Sequence, residues 1–500
     1  MSETPPARIG WRDWAIAILL ATLWVALVRP GSLSLAYFWD ESDVYVPGAR
    51  WVAEHGFTIT PGIFPDDYSR GHPPLLYLIA AAAFRLFGTD PAVGHLVVLP
   101  FTVLALVATY LLGATLFGRH AGACAAALLA TTPLFMSIGN MLLPEVPLTA
   151  LAALSLFCFA RGRLVAAVLC GVAAVWMKET GIFAAGAIGL GVLFDAWRRR
   201  TFVEAPTWSR IGLATVPLLA MLAFFAWQRA HAGYYVFPHH QNLFADRPLE
   251  LSNVLTVWPS LVVRHGRWVV VLGALLALSL GREERLELFG SRWTPSRGAV
   301  VFACLSLVLL NALFFTKMFW LDRYALPAHP GLLVCACGAL FTGLRMASER
   351  ARALFGTGIA VVAALFGVLS MREETPRDSE ELTFAYADVV ATHRVAFDAL
   401  SPRDAPVLTT WPLTVELEQP YLGYVDRPLE TRSTDGLEEG DAVGAILVNT
   451  ASSRAPALRR EAERRGMERV ARFAEGVAPA LELYRRERFD EGGGRLFRRR

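Results

Sequence analysis

The sequence predicts a mainly α-helical, polytopic membrane protein with a small C-terminal α/β domain outside the membrane. Its 500 residues are 54% hydrophobic and 18% charged, with a mean hydropathy of +0.41. Soluble domains carry about 25% charged residues, so this composition argues against a single ordinary soluble domain. The charges are also concentrated, since residues 372–500 hold 44 of the 91 Lys, Arg, Asp and Glu. We therefore expect a membrane domain over 1–371 and a soluble domain over 372–500.

Apolar segments with the length of spanning helices recur along residues 1–371. A span needs about 20 mostly apolar residues, and we expect about 11–13 transmembrane helices. The candidates are 12–29, 92–117, 121–138, 142–160, 163–177, 181–197, 210–229, 259–281, 298–318, 328–344 and 354–371. The first of them is interpreted as an uncleaved helix because many spans follow it. A further apolar stretch, 73–88, is expected to lie along the outer face or to dip into it.

Arginine-rich loops predict the orientation, because cytoplasmic loops carry an excess of positive charge. Such clusters occur at 198–200, 282–297 and 345–352. Alternation of the spans then places the N-terminus in the cytoplasm of a cell with an inner membrane. The segments expected outside, in the periplasm, are 30–72, 139–146, 178–180, 230–258, 319–327 and the domain from 372 onward.

The C-terminal domain has the pattern of a small α/β unit. Helices are predicted at 380–400 and 453–466, and strands at 406–410, 445–449, 469–473 and 480–484. The sequence has no glycine-rich phosphate loop, and its arginine-rich end is expected to be a solvated tail, so nucleic acid is not an expected partner. All six cysteines lie in apolar segments, which excludes a disulfide framework and zinc-ligand spacing.

Acidic residues cluster in the first outer loop, at 30–72. Of the 20 acidic residues in 1–371, six lie there: Asp40, Glu41, Asp43, Glu54, Asp66 and Asp67. Residues 41–55 have helical apolar spacing with Gly56 as a stop, which predicts an amphipathic helix at the membrane interface. Asp40 would lie at its N-terminus. There it can be a helix cap or a catalytic carboxylate, and the two roles are compatible.

Ionisable residues also interrupt the other outer turns. Glu145 lies in an apolar run, Lys178 and Glu179 follow one span, and Arg323 follows another. Such groups are functional candidates, although interfacial charges, ion pairs and snorkelling side chains are the alternative readings. Together they suit a reaction in which a carboxylate removes a hydroxyl proton and cations stabilise a departing phosphate. Lys317, the only other lysine besides Lys178, is expected to snorkel.

Four motifs resemble the GT-C glycosyltransferases that use polyprenyl-phosphate sugars, in the family 39 group of protein O-mannosyltransferases and lipid A aminoarabinose transferases. The matching segments are Asp-Glu-Ser-Asp-Val-Tyr at 40–45, Gly-His-Pro-Pro-Leu at 71–75, Pro-Glu-Val-Pro-Leu at 144–148 and Arg-Tyr-Ala-Leu-Pro at 323–327. Two positions depart from the family pattern. Glu145 stands where Asp is usual, and His72 stands where a basic residue, often Lys, is common in the aminoarabinose transferases.

The resemblance implies an inverting glycosyltransferase that moves a sugar from a polyprenyl-phosphate donor to a hydroxyl of a lipid, glycan or protein. Asp40 would be the general base, with Glu41 and Glu145 completing the catalytic group. The donor phosphate would be bound by Lys178, Arg323, His72 and Arg70, with Tyr45, Arg50 and Tyr324 in support. The resemblance implies no metal ligands and no required cofactor, although a divalent cation could assist.

Two other functions remain open from the sequence. Many spans with intramembrane charges also fit a transporter or flippase of lipid-linked or small substrates, although such proteins often have internal repeats and this sequence shows none. A catalytically inactive relative that binds a partner would keep the fold and use Asp40 only as a cap.

Overall fold

The structure of the chain is a computed structural model. It describes residues 9–28, 31–245, 294–318, 320–343, 348–370, 381, 383–434, 437–438 and 441–486. The predicted span at 259–281 and the arginine-rich tail lie outside the described residues, as does most of the arginine loop at 282–297.

The membrane part is a bundle of helices that follows the predicted spans. Its helices are α1 (Trp11–Val28), α2 (Val46–Glu54), α3 (Asp66–Ser69), α4 (Leu75–Phe87), α5 (Pro91–Phe117), α6 (Arg119–Ala130), α7 (Pro133–Ile138), α8 (Glu145–Ala160), α9 (Leu164–Met177), α10 (Ile182–Arg199), α11 (Ala205–Ala214), α12 (Val216–Ala232), α13 (Pro238–Ala245), α14 (Arg297–Lys317), α15 (His329–Gly343) and α16 (Glu349–Leu369). Six helical stretches in the described part are long and apolar enough to cross a membrane. The chain is therefore a multi-span membrane protein.

Helix α4 explains the apolar stretch at 73–88. It has 13 residues, which at 1.5 Å per residue make about 20 Å, less than the ~30 Å hydrocarbon core. It begins after Pro74 and ends at Gly88, whose φ of +87° is a conformation that glycine adopts readily. Tyr77 and Phe84 are buried, and the Tyr77 ring approaches Gly48 of α2. Near its C-terminal end, Arg85 Nη1 donates to the Ala53 carbonyl of α2 at 3.1 Å, so α4 runs along the first outer loop, as the sequence predicts.

Polar contacts mark the two ends of the bundle. At one end, Arg119 donates to Asp13 from Nε at 2.7 Å and from Nη2 at 3.1 Å. At the same end, the backbone N–H of Ser296 donates to Asp195 Oδ1 at 2.9 Å. The opposite ends of the helices bring together Asp40 and the other ionisable residues described below. This separation agrees with the alternation of loops that the arginines predict.

The C-terminal part forms a five-stranded sheet with helices. Strands β1 (Val407–Thr409), β2 (Thr431–Ser433), β3 (Ala445–Asn449), β4 (Met467–Phe473) and β5 (Leu481–Arg486) lie in the order β2-β1-β3-β5-β4. Strand β1 is parallel to β2 and β3, whereas β5 is antiparallel to β3 and β4. Its helices are α17 (Ala385–Asp398), α18 (Leu413–Glu418) and α19 (Ala455–Arg464). Strand β2 and helix α18 were not predicted, because both are too short to show a periodic apolar pattern.

The C-terminal part packs on the first outer loop. The backbone N–H of Tyr37 donates to the Leu422 carbonyl at 2.9 Å, and Arg394 Nη2 donates to the Ser34 carbonyl at 3.3 Å. The rings of Trp39 and Trp411 meet edge to face at 5.0 Å. The sheet is thus held next to the loop that carries the acidic cluster.

Candidate active site

Asp40 lies at a sharp bend of the first outer loop. Trp39 before it has a φ of +55°, which is strained for a bulky side chain. The chain then forms a π-helical turn over Glu41–Tyr45 and continues as α2, so the predicted helix at 41–55 is present with an irregular start. The Asp40 side chain makes no capping hydrogen bond, which corrects the cap interpretation. Its Oδ2 instead accepts a hydrogen bond from Arg323 Nη2.

Arg323 is surrounded by carboxylates. It lies in a 3₁₀ segment, Asp322–Ala328, and its side chain is only 2% exposed. Nη2 binds Asp40, Nη1 donates to Glu381 Oε1 at 2.7 Å, and Nε lies 3.6 Å from Glu145 Oε1. The planar guanidinium suits such two-sided binding. In this structure, Arg323 therefore fixes carboxylates rather than facing an open cavity.

Lys178 forms the second ion pair of the site. Its Nζ donates to Glu145 Oε1 at 2.8 Å, and the two side chains are 9% and 2% exposed. Glu145 is the first residue of α8, and Lys178 is an extended residue at the end of α9. The Lys178 ammonium also lies 4.5 Å from the centre of the Tyr324 ring. Both lysine and arginine thus share one buried glutamate.

A cavity of about 590 Å³ opens beside Lys178. One end is polar and the rest is apolar. The polar end contains His72, Lys178, Glu179, His240 and Tyr324, and the apolar wall contains Ile182, Phe183, Met221, Phe225, Val236, Phe237, Phe314, Phe315 and Met318. This division suits a ligand with an anionic head and a long apolar body.

The histidines at the polar end have different surroundings. His72 Nδ1 lies 3.0 Å from Glu179 Oε2, and its ring centre lies 5.2 Å from that of His240. Burial and the neighbouring His72 lower the pKa of His240 to about 4, although Glu179 opposes this shift. His240 is therefore a neutral hydrogen-bonding group near pH 7.

Glu381 was not found from the sequence. It lies between α16 and α17 and is buried, with 3% of its side chain exposed. Burial raises the pKa of the Glu381 carboxyl, and Arg323 beside it opposes the rise. The segment around it is rich in acidic residues, so no local signal distinguishes Glu381 from its neighbours.

Other residues expected at the site lie apart from the cavity. Arg70 pairs with Asp43, and Arg50 Nε lies 2.7 Å from Glu54 Oε1. Glu41 is 1% exposed and accepts hydrogen bonds from the backbone N–H groups of Phe38 and Leu142, with His95 Nε2 at 3.3 Å. These contacts give Glu41 a structural place rather than a catalytic one.

Tyr45 connects the loop to the cavity, because its buried ring stacks on His72 with the centres 6.3 Å apart. Glu179, one of the ionisable candidates from the sequence, joins the polar end together with His240. Within the described ranges, no group of three or more His, Cys, Asp or Glu side chains is placed to hold a metal ion.

Comparisons with known proteins agree with this fold. Residues 71–227 match the family model described as dolichyl-phosphate-mannose-protein mannosyltransferase. The structure resembles the crystal structure of ArnT from Cupriavidus metallidurans bound to undecaprenyl phosphate, with a TM-score of 0.58 and 15% sequence identity over 95% of this chain and 98% of that one. The apo state of ArnT gives a TM-score of 0.56 at 15% identity and the same coverage. The search of curated proteins gave no match.

These findings define the class as polytopic membrane proteins with the GT-C fold. The family match and the fold together indicate a glycosyltransferase, so the resemblance to these enzymes is confirmed. Of the four motifs, the matched segment contains those at 71–75 and 144–148. The matched segment contains His72, Glu145 and Lys178, whereas Asp40 and Arg323 lie outside it.

Proposed function

We propose that the protein transfers a sugar from a polyprenyl-phosphate donor to an acceptor hydroxyl, with inversion at the anomeric carbon and with Asp40 as the general base. The observation that carries this proposal is the cavity whose apolar wall ends at Lys178 and His72. Such a shape complements a lipid chain joined to a phosphate. ArnT, which has the same fold, was crystallised with undecaprenyl phosphate.

The donor phosphate is proposed to bind at the polar end of the cavity. Lys178 supplies a positive charge, and His72 and Tyr324 supply hydrogen-bond donors. The lipid chain would lie along the phenylalanine and methionine side chains. Arg323 and Arg70 are less suitable phosphate ligands than the resemblance implies, because neither guanidinium group lines this cavity, whereas Lys178 does.

The chemistry follows from the two charged ends of the site. Asp40 takes the proton of the acceptor hydroxyl as the oxygen attacks the anomeric carbon. The bond between that carbon and the phosphate oxygen breaks, and polyprenyl phosphate leaves with the electron pair. Lys178 stabilises the charge that develops on the phosphate. Attack from the side opposite the leaving group inverts the configuration. These reaction steps need no cofactor, although a divalent cation could assist.

The site is proposed to face the periplasm of an inner membrane, with the N-terminus in the cytoplasm. Support comes from the arginine-rich turn at 198–200, which follows the helix Ile182–Arg199 at the bundle end opposite Asp40 and Glu145. The acceptor, whether a lipid, a glycan or a protein, would approach from the side of the C-terminal part.

The test is a transfer assay with the purified protein in liposomes. The assay supplies polyprenyl-phosphate donors that carry labelled mannose or aminoarabinose, together with a membrane extract as the source of acceptors. We expect transfer by the parent and a loss of about 10²- to 10⁴-fold in Asp40→Asn, the usual contribution of general base catalysis. Asp43→Asn is the matched control, because Asp43 is the neighbouring acid on the same turn and pairs with Arg70.

Equal transfer by the parent and by Asp40→Asn would contradict the role of Asp40. Movement of a labelled lipid-phosphate sugar across the bilayer without any transfer would instead favour a flippase. Binding of an envelope component without either activity would favour an inactive relative.

A further inference from the structure

Glu381 reaches back into the site from the chain that leads into the C-terminal sheet. Its carboxylate accepts from Arg323 Nη1 at 2.7 Å, and its backbone carbonyl accepts a hydrogen bond from the Ser137 hydroxyl. Glu381 and Ser137 are both buried. Two contacts from different parts of the membrane domain therefore fix this residue, although it lies outside the family motifs.

The charges around Arg323 explain what Glu381 can do there. Among the described residues, the guanidinium faces the carboxylates of Asp40, Glu145 and Glu381, and the centre of the Tyr324 ring lies 5.5 Å away. The Lys178 ammonium is close enough to repel it. Glu145 is already paired with Lys178 at 2.8 Å. Asp40 thus binds Nη2 and Glu381 binds Nη1. The guanidinium is rigid and planar, so a partner that holds one Nη group also fixes the direction of the other.

We propose that Glu381 is a positioning residue for the transfer reaction, which holds Arg323 and shares its positive charge so that Asp40 is both aligned and able to accept a proton. This inference rests on the proposed function of Asp40. Arg323 with Asp40 as its only close partner would favour the Asp40 anion strongly and make it a weak base. A second carboxylate on the opposite Nη group reduces that effect.

A purely structural role is the alternative. Glu381 would then only fasten the C-terminal part to the bundle. The two roles differ in one property, because a fastening contact affects the amount of folded protein, whereas a positioning contact affects the pH at which Asp40 becomes active.

The experiment compares Glu381→Gln, Glu381→Asp and the matched control Glu416→Gln. Glu416 is a buried glutamate of the C-terminal part and pairs with His393 at 2.7 Å rather than with Arg323. In Glu381→Gln we expect kcat to fall about tenfold, the donor KM to stay unchanged and the acid limb of the pH–rate profile to move about one unit lower. Glu381→Asp should restore part of kcat, and Glu416→Gln should leave the profile unchanged.

A spectroscopic readout makes the test independent of turnover. The titration of Asp40 is followed by infrared difference spectra between each protein and its Asp40→Asn counterpart, in the parent and in the Glu381→Gln background. We expect the Asp40 signal to titrate at lower pH in the second background. If Asp40 titrates at the same pH in both backgrounds, the positioning role of Glu381 is overturned, even if the parent transfers no sugar. If Asp40→Asn loses transfer while Glu381→Gln keeps the kcat and pH profile of the parent, the positioning role is overturned and the proposed function stands.

Discussion

Lys178 carries a structural and a functional role that a double-mutant cycle can separate. Its ammonium lies 2.8 Å from Glu145 Oε1, and both side chains are buried. Breaking a buried ion pair by removing one partner costs about 3–5 kcal/mol, because the remaining charge is left without compensation. Arg323 Nε at 3.6 Å from the same oxygen compensates in part. We therefore expect Lys178→Gln to lower the free energy of unfolding by about 2–3 kcal/mol.

The same substitution should weaken donor binding. A hydrogen bond to a charged group contributes about 1.5–3 kcal/mol, which corresponds to about a 10- to 150-fold change in Kd. Adding Glu145→Gln removes the uncompensated carboxylate and should restore most of the stability. It adds no cation, so it should not restore affinity for the phosphate.

The assay measures denaturant unfolding in detergent and equilibrium binding of labelled polyprenyl phosphate for the four members of the cycle. Lys317→Gln is the matched control, since Lys317 is the only other lysine and does not line the cavity. Its donor affinity should equal that of the parent. Recovery of parent affinity in the double variant would refute the reasoning, because Lys178 would then act on the donor only through the fold.

Two further predictions concern other parts of the site. His240 has a pKa of about 4 in the folded chain against an ordinary value of 6.5. As the pH falls, His240 is protonated in the unfolded chain before it is protonated in the folded chain. The free energy of unfolding should therefore decrease as the pH drops from 6.5 towards 4. His240→Gln should flatten this part of the curve of thermal unfolding against pH, and an unchanged slope would contradict the shift. Glu41→Ala should cost at least about 1–3 kcal/mol in denaturant unfolding, since two backbone N–H groups lose their acceptor. Its turnover per folded molecule should stay near that of the parent, and a catalytic loss on the scale of Asp40→Asn would contradict the structural role.

Helix positions could be predicted because their signals are local. The segment 92–117 agrees with α5, which ends before Gly118 at a φ of +95°. One predicted span is instead divided in the structure. The stretch 121–138 breaks before Pro133, between α6 and α7. Proline lacks a backbone N–H and crowds the preceding turn, so it divides an apolar run without changing its hydropathy.

The sequence predicts which residues come together at the candidate site, but not which cation pairs with which carboxylate. Asp40, Glu145, Lys178 and Arg323 come together because they lie at the same end of their helices, and loop alternation reveals that end. Which cation binds which carboxylate depends on the rotation of each helix and on side-chain reach. Asp40 therefore had a plausible local role as a cap, and only the position of Arg323 shows its actual partner.

The charge distribution also predicts how the two reactants approach each other. Three carboxylates surround Arg323, so a phosphate placed there would meet more negative than positive charge. Lys178 also has carboxylates beside it, but it lines the cavity and Arg323 does not, so Lys178 is the cation within reach of a phosphate bound there. The donor should therefore lie on the Lys178 side of the site and the acceptor hydroxyl on the Asp40 side. In the proposed mechanism, this arrangement would place the proton acceptor and the leaving group on opposite sides of the reacting carbon, as an inverting displacement requires.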